Sequence, residues 1–183
     1  NIEWEKAFGG TLTETASGIV ENSDGSFFAA GNTKSYGKGN YDFWMLKLDA
    51  LGALEWEKTF GLANNDMAEG IHINNDGSYT IYGQSDNAIA GKYVAFFYNV
   101  DEWGDLNYST TLSGQENQYC RAFYQTSDNG FVVVMDSNSF SSMKYSIWAV
   151  KLSSDMSTVE WQKVINGDKY SHGKAATGGE GSN

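Results

Sequence analysis

The hexapeptide Trp4-Glu-Lys-Ala-Phe-Gly9 returns as Trp56-Glu-Lys-Thr-Phe-Gly61. The same slot drifts to Tyr108-Ser-Thr-Thr-Leu-Ser113, and Trp161-Gln-Lys-Val-Ile-Asn166 opens a fourth pass. The copies stand 52, 52 and 53 residues apart. A fixed period of about 20–50 residues, or slightly above, marks an array of supersecondary units, none of which buries its apolar face alone. Any fold for this chain must set one such unit beside the next.

Aligned in that register, three further segments recur. The first is Ala16 to Glu21, matched by Ala68 to Ile73 and Cys120 to Gln125. The second is Ser26 to Gly31, matched by Ser78 to Gly83 and Gly130 to Met135. The third is Asp42-Phe-Trp-Met-Leu-Lys-Leu-Asp49, matched by Val94 to Asp101 and Ser146 to Ser153. All are short, rich in aromatic and β-branched residues, and bounded by turn formers, which are strand signals. Asn22-Ser-Asp-Gly25, Asn74-Asn-Asp-Gly77 and Thr126-Ser-Asp-Asn-Gly130 join the first and second segments. Asp-Gly between strand-like runs predicts a hairpin, because the turn needs a residue at positive φ. Asp49-Ala-Leu-Gly-Ala53 and its equivalents predict a second hairpin between the third and fourth segments. About ten residues link the second to the third, and about seven carry the chain to the next copy, both within ordinary connection lengths.

Four antiparallel strands per unit, with a modest crossover to the next, describe a β-propeller blade. The strand after the crossover is innermost, and its slots hold small residues: Ala16, Gly18, Ala68, Gly70, Cys120 and Ala122. The tryptophan strand is outermost. The expected fold is all-β: a β-propeller segment over 1–177 with three complete four-stranded antiparallel blades at 16–60, 68–112 and 120–165. An orphan outer strand at 2–8 and an inner strand at 172–177 are partial blades at the two ends, and 178–183 is a flexible tail. Three blades do not close a ring, since four to eight are usual. The chain is thus part of a larger ring, completed by other blades of the same parent chain or by copies of itself.

The recurring aromatics Trp44, Phe96 and Trp148 are expected as packing between blades. Lys47 and Lys151, flanked by apolar residues, lay their stems on the sheet and reach solvent or a carboxylate. Asp24, Asp76 and Asp128 are turn residues, since their loops lack the alternating oxygen ligands of a calcium site. Cys120 is a small packed residue, and its being the sole cysteine rules out an internal disulfide. His72 and His172 fall in unrelated slots. No spacing for metal ligation and no nucleophile or phosphate-loop motif stands out, so no catalytic residue and no cofactor are expected.

The long links and crossovers share one face, and loops on a rigid scaffold concentrate binding residues. The ligand-binding candidates there are Tyr36, Asp66, Asp86, Asn87, Glu116 and Phe140. In the innermost strands the slot of Ser17, Glu69, Arg121 and Lys174 changes chemistry in every copy, which argues against a uniform ring site. A net charge of −11 argues against nucleic acid and anionic membrane surfaces, and no apolar run is long enough for membrane insertion.

The motifs Tyr41-Asp-Phe-Trp-Met-Leu-Lys-Leu-Asp49 and Trp56-Glu-Lys-Thr-Phe-Gly61 resemble a family of secreted bacterial and archaeal proteins built of tandem β-propeller repeats. The first copy matches closely, the second partly, and the third mainly in its skeleton; Met135 replaces a second-strand glycine and Tyr108 the tryptophan. The resemblance implies a propeller at an extracellular or cell-surface location and implies no activity. The expected function is a non-enzymatic module for protein interaction, adhesion or scaffolding, with protein or glycan bound at the long-link face. A glycan-binding propeller and an enzyme with a site at the propeller mouth are the alternatives.

Overall fold

A computed structural model describes residues 2–89, 91–140 and 145–165, with side chains for all of these except 87–89. They form three four-stranded antiparallel sheets. The first contains β1 (Glu14–Glu21), β2 (Phe27–Thr33), β3 (Asp42–Leu48) and β4 (Leu54–Phe60). The second contains β5 (Asp66–Ile73), β6 (Tyr79–Ile89), β7 (Lys92–Val100) and β8 (Leu106–Leu112). The third contains β9 (Gln118–Gln125), β10 (Phe131–Ser137), β11 (Ser146–Leu152) and β12 (Val159–Ile165). Each is a meander in chain order, as the repeat predicts, although every first strand begins two residues earlier than expected. Among the described residues no helix is long and apolar enough to cross a membrane.

The hairpin turns follow the sequence chemistry. Gly25 and Gly77 take φ of 82° and 84°. In the third unit Asn129, at φ 64°, takes this role instead of Gly130. Asparagine tolerates the left-handed region because its short side chain bonds locally. Asp24 and Asp76 each accept from the amide and hydroxyl of the serine two residues on, and Asp128 accepts from the Gly130 amide. These contacts give the aspartates the turn role expected of them. One link departs from expectation. In the second unit β6 and β7 extend to an Ile89–Lys92 pair closed at Gly91 (φ 75°), so the link over 84–93 is largely hairpin.

A second irregularity repeats where the third and fourth strands meet. The register slips at Glu55, Asn107 and Glu160. Glu55 pairs with Lys47 at 3.2 Å and Glu160 with Lys151 at 3.1 Å. In the second unit both partners change together, and Asn107 donates to Asn99 at 2.9 Å. The lysine side chains thus find carboxylates, and the middle unit replaces the ion pair with an amide pair.

The core lies between sheets. One cluster joins Phe28, Ala30, Phe43 and Met45 of the first sheet to Ala68, Ile71, Ile81 and Val100 of the second. Another joins Ala95 and Phe97 to Cys120, Phe131, Val133 and Trp148. The fourth strand reaches forward into the same seams. Trp56 and Phe60 pack against the first cluster, and Tyr108 and Leu112 against the second. Residues 2–8, expected as an orphan strand, belong to no sheet. Their Trp4 and Phe8 nevertheless pack on Trp44, Leu46 and Leu48. Residues 172–177 and 178–183 lie outside the described residues.

The hairpin glycine beneath each tryptophan is dictated by contact. A Cβ on Gly52 would stand 2.6 Å from the Trp4 ring, and one on Gly104 would stand 2.6 Å from the Trp56 ring. Where the ring shrinks to Tyr108, the equivalent turn residue is Met156, at φ 56° and buried in the same cluster as the tyrosine. The divergence of the third copy is therefore a coupled exchange of ring size against side-chain volume. Gly104→Ala meets both the ring and a φ of +72°, and it is expected to destabilise by about 1–3 kcal/mol. Asn129→Gly should change stability by less than about 1 kcal/mol, and urea unfolding of the two variants compares them directly.

Candidate functional site

The first strand of every sheet slips by one residue against the second, at Ser17, Glu69 and Arg121. Such bulges bend the strand and re-aim the extra side chain. The re-aimed residues reach toward neighbouring units. Ser17 Oγ donates to the Ala68 carbonyl at 2.7 Å. Arg121 Nη1 meets Glu69 Oε1 at 3.2 Å, and its Nε meets the buried Asp136 at 2.9 Å. Gln84 Nε2 donates to the same Glu69 oxygen at 2.8 Å. Asn32, in the slot of Gln84 and Asp136, accepts from the Ala68 amide at 2.5 Å and donates to its carbonyl at 3.3 Å. Variation along this slot is thus a set of matched partners, which the sequence showed only as changing chemistry.

Aromatic rings continue the cluster at the seam of the second and third units. Tyr119 lies 5.2 Å from Tyr93 and 5.8 Å from Tyr145 between ring centroids. The Arg121 guanidinium sits 5.5 Å over the Tyr119 ring. Burial, followed by a hydrogen bond with Tyr145, pushes the Tyr119 phenol up to about 12, so it stays protonated at neutral pH. The assembly offers ring faces, phenolic hydroxyls and a guanidinium held between two carboxylates. Such a set suits recognition of a partly polar surface. Comparison of the repeats placed Glu69 and Arg121 in one slot but did not bring them together with each other or with the tyrosines.

The six candidates from sequence are spread over links and strands of all three units. Tyr36 and Phe140 share a repeat slot in the first and third units and are 39% and 41% exposed. Their rings lie against Trp44 at 6.0 Å and Trp148 at 5.3 Å. Asp86 accepts from the backbone and side-chain amides of Asn65. Glu116 pairs with Lys92 at 3.3 Å, and its own amide donates to Ser139. Asn87 lies in β6, and its side chain is outside the described residues.

Asp66 is fully buried and holds the crossover. Its Oδ2 accepts from the Leu62 amide at 2.6 Å. Glu14 and Gln118 accept equivalently from Gly10 and Gly114, so this slot clamps each crossover. The backbone adds a bond from Lys34, Asp86 and Asn138 to Thr13, Asn65 and Asn117 respectively. Much of the polar chemistry read as a binding rim is thus committed to loop structure. Burial raises the Asp66 pKa, with Asp42 and Asp86 adding to it against hydrogen bonds that lower it.

Desolvation lowers the His72 pKa, and the ring lies edge-on to Phe123 at 5.7 Å. Cys120 is buried, and burial pushes its thiol up, as a packed small residue requires. Among the described residues no three His, Cys, Asp or Glu side chains are grouped so as to hold a metal.

No protein-family model and no curated protein matches the chain. Among solved structures it is similar to the endo-arabinase from Bacteroides thetaiotaomicron VPI-5482, at 15% identity and a TM-score of 0.49 over 82% of this chain. The chain spans about three fifths of that structure, 61% of its length. It is also similar to a protein of unknown function from Bacteroides caccae, at 11% identity and a TM-score of 0.36, over 86% of this chain and 69% of the other.

Two outcomes test these assignments. Arg121→Met removes the cation beside buried Asp136 and is expected to cost about 1–3 kcal/mol, whereas Glu69→Gln, at a half-exposed position, should cost under about 1 kcal/mol; denaturant titration separates them. Asp66→Asn keeps an acceptor for Leu62 and removes the buried charge. A carboxyl whose folded pKa is raised adds stability below its unfolded pKa and loses it as pH rises through the folded value. The variant should therefore match or exceed the parent at pH 7. That advantage should shrink as pH falls to the ordinary carboxylate range, as read from melting temperature against pH.

Proposed function

We propose that the three sheets are consecutive blades of a β-propeller and that the chain is a non-enzymatic recognition module, working outside the cell or at its surface. The observation that carries the reading is the seam cluster, in which two bulges bring Glu69 and Arg121 together beside Tyr93, Tyr119 and Tyr145. Tyrosine and arginine in a partly desolvated setting are the residues on which protein interfaces concentrate their energy. Both carboxylates of the cluster are bonded to Arg121, an arrangement suited to holding a partner in register. The ligand in this reading is a protein surface. A second reading, a glycan at the long-link face, draws on the exposed ring faces of Tyr36 and Phe140.

Affinity capture with the intact chain, followed by crosslinking and identification of the crosslinked residues, tests the first reading. Crosslinks should centre on residues 93, 119 and 121, and Tyr119→Ala should weaken binding by at least about tenfold, as for an interface hot spot. Tyr36→Ala should leave it unchanged. A glycan array showing hits that are lost in Tyr36→Ala or Phe140→Ala, with Tyr119→Ala unaffected, would replace the protein reading with the glycan one.

A further inference from the structure

The leading face of the first sheet is apolar and only partly covered among the described residues. Trp44, Leu46 and Leu48 on this face are the repeat equivalents of Phe96, Tyr98 and Val100, which the first sheet covers in the second. Ile19 shows what is missing. It is 59% exposed, while its counterparts Ile71 and Phe123 are 8% and 6% exposed. An open apolar cleft of about 330 Å³ runs over this face, lined by Trp4, Phe8, Ala16, Ile19, Trp44 and Leu46 among others. The face is continuous in kind with the two formed seams.

One strand of the missing neighbour is already in place. Trp4 lies over Gly52 as Trp56 lies over Gly104. Phe8 packs on the first sheet as Phe60 and Leu112 pack on the seams that follow. In residues 2–8 only positions 4 and 8 are partly buried, which are the equivalents of Trp56 and Phe60 in β4 and of Tyr108 and Leu112 in β8. The segment thus holds the position and facing of a fourth strand without being in a sheet.

We infer that the leading face receives a three-stranded antiparallel unit of this same repeat, to which residues 2–8 add the fourth strand. The occupant presents apolar side chains at the positions of Phe28, Ala30, Phe43 and Met45, the residues by which the first sheet fills the next seam. A complete sheet from a second copy does not fit. Its β12, carrying Trp161 and Ile165 in the slots of Trp4 and Phe8, would fall where residues 2–8 already lie. Nor do residues 166–183 suffice, because three strands occupy the 35 residues from Glu14 to Leu48 in the first unit. The inference rests on the propeller reading, and the experiment keeps the two apart.

The probe is a second copy of residues 14–53 fused directly to Ile2 of the full chain, which reproduces the junction of Ala53 with Leu54 ahead of β4. Hydrogen exchange then reads residues 2–8, β4 and β8 in the extended and unextended chains. The extension should slow exchange in residues 2–8 by at least about tenfold, toward the rate of β4. Ile19→Cys supplies a second readout: its thiol should label freely in the unextended chain and at least about tenfold more slowly in the extended one, as burial demands. Unchanged exchange at 2–8 and unchanged labelling, with β4 and β8 protected in both chains, overturns the inference alone. A dimer of the unextended chain that shields the position-19 thiol overturns it in favour of a second copy. Fast exchange in β4 and β8 overturns the stacking of sheets and the inference with it.

Discussion

No sheet in this protein completes its own core. The fourth strands of the first and second units each send an aromatic and a second apolar side chain forward into the seam with the next. Trp56 and Phe60 do this for the second sheet, and Tyr108 and Leu112 for the third. Packing of this kind makes stability a sum over neighbours, as in other repeat proteins. It also explains why the tryptophan slot is the most legible feature of the sequence. A large ring lying on a hairpin turn leaves room only for glycine, so ring and turn are fixed together.

The seams carry a second, polar layer where the first strands bulge. Ser17 and Asn32 bond the Ala68 peptide between the first and second units. Between the second and third, Glu69 and Arg121 take over. These contacts are satisfied within the protein, so they orient the sheets as well as display chemistry. A polar group in such a place is tolerated because it is bonded. The tyrosines around Arg121 are thereby held on a base fixed by ion pairs and hydrogen bonds.

Strand order, the hairpins and the contact between sheets could all be read from the sequence, because each depends on local chemistry at a fixed period. Asp-Gly turns, small residues in the first strands and the lysine stems of the third strands needed no tertiary knowledge. What could not be read depends on where a strand slips. Nothing local distinguishes Ser17, Glu69 and Arg121 as bulge residues, yet the slip decides that they point at a neighbour. Asp66 looked like a rim carboxylate because its neighbours are polar, and only the path of the crossover shows it buried against Leu62. Residues 2–8 carry the strand signal in full, yet the sheet that would pair with them is not present among the described residues.

The coupling of Trp56 to Gly104 means that the folded unit and the transferable unit are out of phase. A duplication cut in the crossover, between one sheet and the next, would part the ring from the turn it was shaped to cover. A duplication cut in the hairpin between the third and fourth strands would move each fourth strand together with the sheet it packs upon. The same holds for Tyr108 and Met156, whose joint departure from tryptophan and glycine is inherited intact only in that second cassette. A consensus repeat derived by averaging each column alone would mix the two solutions, setting a tryptophan over a methionine. Its natural boundary is the short turn within a sheet.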